Sequence, residues 1–184
     1  MSFVKYISET YSDTNDIYKL VSYCMNGSVK RKDTVIYTFG VNPNDVNSIF
    51  KSMIFTKREF RKLYGRQLHH IIISIYPKNR MEISRRILYA NFIAYEIGQI
   101  IEYFGFQVIA TVHVNQIENV FNKGIIEYTP NVHIHFIINS VSYKNGHKLH
   151  DIYNFLMSIL RYLKKNYPQL AWENILIGDD NSGR

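Results

Sequence analysis

At 184 residues, 46% of them hydrophobic, the chain is long enough for one domain with a full core and needs no disulfide scaffold, which its single cysteine, Cys24, could not supply. No apolar run approaches the roughly 20 residues that cross a bilayer, and Met1-Ser2-Phe3-Val4-Lys5 lacks a signal-peptide core, so a soluble, cytoplasmic protein without a membrane segment is expected. A formal charge of +7 favours an anionic partner, most commonly nucleic acid.

Val4 to Ile7 reads as a short strand. Asp13 or Thr14 caps a helix running to Met25, with Ile17, Leu20, Val21 and Cys24 at helical spacing. Asp33 to Val41 alternates, and Asn42-Pro43-Asn44-Asp45 opens a second helix that reaches Tyr64, with Gly65 as its stop. Gln67 to Tyr76 is a strand, Ser84 to Phe104 a long helix closed by Gly105, and Phe106 to Val114 another strand. Residues 115–130 read as irregular, Val132 to Val141 as a strand, and Leu149 to Asn166 as the last helix. The class is α+β: one mainly antiparallel sheet of about five strands, helices packed on one face and the functional site on the other. Residues 1–178 form a single domain and 179–184 a polar tail.

Alternation places chemistry on that second face, because successive strand residues point to opposite sides. Val132, Ile134, Phe136 and Ile138 share one side; Asn131, His133, His135 and Asn139 share the other. His70, Ser74 and Tyr76 oppose Ile71, Ile73 and Ile75, while Thr111 and His113 oppose Val108, Ala110, Val112 and Val114. If these strands are neighbours, two histidines at i and i+2 and a third from an adjacent strand make a three-imidazole metal site with open positions. Basic residues cluster at Lys30-Arg31-Lys32 and at Lys78 with Arg80, where phosphate contact is expected, and at Lys57-Arg58 with Arg61-Lys62, whose helical spacing reads as a solvated face. Tyr64 and Tyr76 lie among these segments, as base-stacking or core aromatics.

The order of motifs resembles the relaxase, or mobilization nuclease, family of the histidine–hydrophobe–histidine class, over most of residues 18–150. Tyr23-Cys-Met-Asn-Gly-Ser-Val-Lys30 is similar to its first motif, Gly40-Val-Asn-Pro43 and Thr56-Lys57-Arg58-Glu59-Phe60 to the segments that follow. Gly65-Arg66-Gln67-Leu68-His69-His70-Ile-Ile-Ile-Ser74 is similar to the second motif, and His133-Ile-His135 with Asn139 to the third. Two features depart from the family: Asn115 stands where an acidic residue follows the first histidine, and the His pair lies farther along the chain, as if residues 116–131 were inserted.

The resemblance implies a relaxase-like palm and a site- and strand-specific endonuclease that nicks single-stranded DNA at a transfer origin. Tyr23 would be the nucleophile, giving a 5′-phosphotyrosyl intermediate. A phenol titrates near 10 and needs its target phosphate polarised. The divalent ion (Mg or Mn, with Zn, Co or Ni also suited to imidazole) would sit on His133, His135 and a third ligand: His113, or else Glu118 or Glu127. His70, Ser74 and Asn139 would support it, and an accessory DNA-binding protein is a further implied partner. Two alternatives stay open: a replication-initiator or transposase-type nuclease using Tyr162 in Tyr162-Leu-Lys-Lys165, and a non-catalytic DNA-binding relative.

Overall fold

Period-two alternation and capped helices alternate along the chain of the computed structural model, which describes residues 1–26, 35–77, 81–120 and 126–178. The elements are β1 (Phe3–Ile7), α1 (Thr14–Asn26), β2 (Val35–Phe39), α2 (Val46–Glu59), β3 (Leu68–Ile75), α3 (Ile83–Tyr103), β4 (Val108–Val120), β5 (Ile126–Asn139), α4 (Ile152–Asn166), a 3-10 turn (Pro168–Leu170) and β6 (Leu176–Gly178). The six strands form one sheet in the order β2-β4-β5-β3-β1-β6, antiparallel except for the β1–β6 edge. The α+β class and the mainly antiparallel sheet are as the sequence led us to expect. The strand beyond the expected five is β6, whose three residues are too few to show alternation.

The layering differs from the expected one-sided arrangement. Ile71, Ile73, Val108, Ala110, Val132, Ile134, Phe136 and Ile138 pack under α3 and α4, which contribute Ile93, Ile97, Leu156 and Leu160. A second core lies on the other face, where Ile17, Val21 and Cys24 of α1 and Ile49 and Met53 of α2 cover Leu68, Ile72, Ile109 and Ile137. Helices therefore cover both faces, and the polar residues share theirs with α1 and α2. The reason is visible in the strands: Ile72, Ile109 and Ile137 interrupt the polar side and must be buried, each worth about 1.5–3 kcal/mol.

Capping sets the helix ends. Asp13 accepts from the Asn15 amide at 2.8 Å, and Asp45 from the Ser48 amide at 2.7 Å. α2 stops at Glu59, short of the expected Tyr64, because Arg61 takes a left-handed φ of 53° and the Lys62 and Arg61 amides turn back to the Lys57 and Arg58 carbonyls. Gly105 closes α3 in the same manner, at φ 88°.

Residues 115–130 are not irregular as expected. Apart from 121–125, which lie outside the described residues, they extend β4 and β5, with Asn115 opposite Asn131 and Val120 opposite Ile126. The tail 179–184 also lies outside them.

Candidate metal centre

The site is built on rungs of the central ladder, where residues directly opposite one another share a face. His133 of β5 stands opposite His113 of β4 and Ser74 of β3; His135 stands opposite Thr111 and Ile72. The imidazoles of His113, His133 and His135 are buried, and one nitrogen from each lies within 4.8 Å of the others. Ring centroids are separated by 5.5 Å (His113–His133), 4.8 Å (His113–His135) and 4.9 Å (His133–His135).

The long spacing between His113 and the pair does not separate them. β4 and β5 are lengthened by the same number of residues, and equal arms leave every rung below unchanged. Glu118 sits five residues along β4 from His113, roughly 16 Å at strand rise. Glu127 stands across the ladder from Asn119, one residue farther out. Both backbone positions lie far along the hairpin from the rungs that carry the three imidazoles.

Further groups orient the ring nitrogens. His135 Nδ1 lies 2.8 Å from His70 Nε2, and His70 Nδ1 lies 3.2 Å from the Tyr11 hydroxyl. His113 Nε2 lies 3.2 Å from the Cys24 carbonyl. A carbonyl only accepts, so His113 Nε2 donates and its Nδ1 carries the lone pair. Cys24 belongs to the last turn of α1, whose carbonyls have no intrahelical partner and are available to a side chain. This bond seats the end of α1 on the cluster. Tyr23, one residue earlier and 37% exposed, has its ring centroid 6.5 Å from that of His113 and 6.1 Å from that of His135.

Three buried imidazoles with ordered outer partners fit a divalent transition ion. Beside them, Thr111 Oγ1 is buried without a hydrogen-bond partner, so the cluster is bordered by unused polar capacity. The all-nitrogen donor set suits Mn, Zn, Co or Ni better than Mg, which prefers oxygen ligands.

The other expected site residues divide. Ser74 flanks His133 and His70 contacts His135. Asn139 shares their face but is not brought to the cluster: it lies four residues along β5 from His135, and its amide donates to the Met53 carbonyl at 3.1 Å and to Gln107 Oε1 at 2.8 Å. Its amide fastens α2 to the sheet. Lys30, Arg31, Lys32, Lys78 and Arg80 lie outside the described residues. Tyr76 is engaged by Asn131 at 2.7 Å and stacks on Phe3. Tyr162 is on the opposite side of the sheet: it packs against the α3/α4 core and its hydroxyl donates to Glu96 at 3.0 Å, and burial, reinforced by that bond, raises its pKa. It cannot reach the imidazoles through a six-stranded sheet.

Two contributors were missed. Tyr11 lies in a loop without periodicity, one of 15 tyrosines, and nothing in the sequence pairs it with His70. Thr111 was placed on the right face by alternation but carried no motif. His69 gives the contrast: one residue from His70, it points to the other face, touches Tyr6 at 3.0 Å, and is pushed down to about 3, by burial first and then by the Arg66 charge.

The family described as Relaxase: MobA/VirD2-like, nuclease domain, matches the chain over residues 23–167. No curated protein and no solved structure compared with the chain matches it.

Proposed function

The chain belongs to the relaxase family of MobA/VirD2-like nuclease domains, and from that premise we propose that it nicks single-stranded DNA at a transfer origin by attack of Tyr23 on one phosphate. It is a DNA-nicking nuclease of the mobilization class. The single observation that carries the finer reading is the seating of α1: the Cys24–His113 bond holds the Tyr23 ring beside the imidazoles of His113 and His135 while leaving it partly open to solvent.

His113, His133 and His135 are the proposed ligands. A bound divalent ion would supply Lewis acidity toward a phosphate oxygen. For His135 to offer Nε2, its Nδ1 must hold the proton and donate to His70 Nε2, and His70 Nδ1–H must then donate to the Tyr11 oxygen. The chain from Tyr11 to His135 thus fixes one tautomer and one ring orientation. In the transfer, the Tyr23 oxygen bonds to phosphorus and the bond from phosphorus to the 3′ oxygen breaks. The phenol proton is lost to solvent and the departing 3′ oxygen takes one up. The resulting ester keeps the energy of the broken bond, so the strand can be rejoined.

The test is an SDS-stable adduct between the protein and a pool of single-stranded oligonucleotides in the presence of Mn. Tyr23→Phe is expected to abolish the adduct and keep DNA binding within about twofold, since only the nucleophilic oxygen is lost. Tyr162→Phe is expected to leave the adduct at its normal level. Loss in Tyr162→Phe with retention in Tyr23→Phe would assign the chemistry to the other side of the sheet and overturn the reading.

A further inference from the structure

Away from the imidazoles, the fold gathers positive charge that is dispersed in the sequence. Segments 57–66 and 144–150 hold seven of the 22 Lys and Arg residues but one of the 15 Asp and Glu. They meet where β3 begins and β5 ends, and they are stitched through carbonyls. Lys62 Nζ donates to the Gly146 carbonyl at 2.5 Å and Lys148 Nζ to the Tyr64 carbonyl at 2.7 Å. Lys57, fully buried, donates to Ser140 Oγ at 2.8 Å, and Ser140 Oγ to the Arg66 carbonyl at 2.6 Å. A carbonyl anchors an ammonium without cancelling its charge. Among the described residues, ion pairs join Lys19 to Asp16 and Lys144 to Glu102; Arg58, Arg61, Lys62, Arg66 and Lys148 take part in neither.

Between Lys62 and Arg66 in sequence stands Tyr64, 88% exposed, its backbone carbonyl held by Lys148 and its ring in solvent. A ring held in water beside uncompensated cations matches a nucleotide whose base is unpaired: the base covers the ring and the phosphates meet the cations. A duplex hides its base faces and offers only the phosphates. Leu68 is six residues from Ser74, which flanks His133, so the patch lies roughly 20 Å along the strands from the imidazoles.

We propose that the loop around Tyr64, with Arg58, Arg61, Lys62, Arg66 and Lys148, is a second binding site for single-stranded nucleic acid, which grips the strand away from the nick by stacking one base on Tyr64. The proposal takes its ligand from the single-strand reading above, but its test does not depend on cleavage.

The probe is a fluorescent oligothymidylate, measured by anisotropy in EDTA with the full chain. Tyr64→Ala is expected to weaken binding about 5- to 100-fold and Tyr64→Phe to restore it, as stacking of one base predicts. Because the ring is exposed, the fold should be indifferent to either change. In Tyr64→Trp the indole emission should be quenched on binding, above the constant background of the buried Trp172. Removing two cations with Arg58→Gln and Arg61→Asn (asparagine tolerates the left-handed φ at position 61) should flatten the slope of log affinity against log salt by about 1.4. Binding within twofold of normal in Tyr64→Ala, or no quench, overturns the proposal. So does equal affinity and quench with a duplex or with polyglutamate, since the patch would then read charge alone. If Tyr23→Phe abolishes the adduct while Tyr64→Ala binds normally, the patch fails and the nuclease reading stands. If no adduct forms but the Tyr64→Trp emission is quenched, the patch stands and the tyrosine assignment fails.

Discussion

The two faces of the sheet are both buried and both covered by a pair of helices, yet they use the same residue types to opposite ends. Under α3 and α4 the strands present Ile, Val and Phe; the polar groups there are consumed locally, as Tyr162 and Tyr167 are by Glu96. Under α1 the strands present His113, His133 and His135, and the surrounding groups orient imidazoles toward one another. His69 and His70 state the difference at its smallest: adjacent residues, one neutralised among the core of the first face, the other joined to the cluster of the second. Burial alone therefore does not distinguish a core histidine from one joined to the cluster. The partners of its nitrogens do.

The largest difference is expected from replacing one buried histidine on each face. His133→Ala should weaken Mn or Co binding, read by competition titration, by about 100-fold or more, while His69→Gln should leave it within about twofold. An equal loss in both would mean that the faces are not distinct in the way argued.

Acid sharpens it next. The His69 imidazole is held near 3 when folded against an ordinary 6.5, so the unfolded chain takes up a proton between these values and the folded chain does not. Its stabilising contribution is complete above 6.5 and declines as the pH falls toward 3, at up to about 1.4 kcal/mol per unit. Denaturant unfolding in EDTA at pH 7 and pH 5 should show about 2 kcal/mol more loss in the natural chain than in His69→Gln. Identical losses would show that His69 is not buried neutral.

Tyr11→Phe should lower metal affinity about tenfold while costing the metal-free fold only the roughly 1 kcal/mol of one hydrogen bond, because the hydroxyl acts through His70 on the His135 tautomer. A lost midpoint with unchanged affinity would make Tyr11 a packing residue. The smallest effect is expected on the other face, where Tyr162→Phe removes one hydrogen bond to Glu96, at about 1 kcal/mol in stability with no change in metal affinity.

Much of this was legible before the fold. Alternation put Thr111 with His113, His133 with His135, and His70 with Ser74, each pair on the polar side of its own strand, because strand parity needs no tertiary information. The register that sets His113 against His133 was not legible, since it depends on equal lengthening of β4 and β5 through a segment that reads as irregular. Nor was the covering of the site face by α1 and α2, which follows from Ile72, Ile109 and Ile137 lying between the polar positions. The bonds of Asn139 to Met53 and Gln107 were not legible either, because parity says which face a residue joins and not what claims its hydrogen bonds. The patch at Tyr64 needed the fold entirely: helical spacing marks Lys57, Arg58, Arg61 and Lys62 as a solvated face, whereas Lys57 is buried against Ser140, and only the loop contacts bring Lys148 to the Tyr64 carbonyl.

The most direct measurement is the location of the covalent bond. The SDS-stable adduct, digested with trypsin and nuclease, should yield a peptide spanning residues 20–30 that carries nucleotide on Tyr23. Nucleotide on Tyr162, or on any tyrosine of the α3/α4 face, would contradict the account.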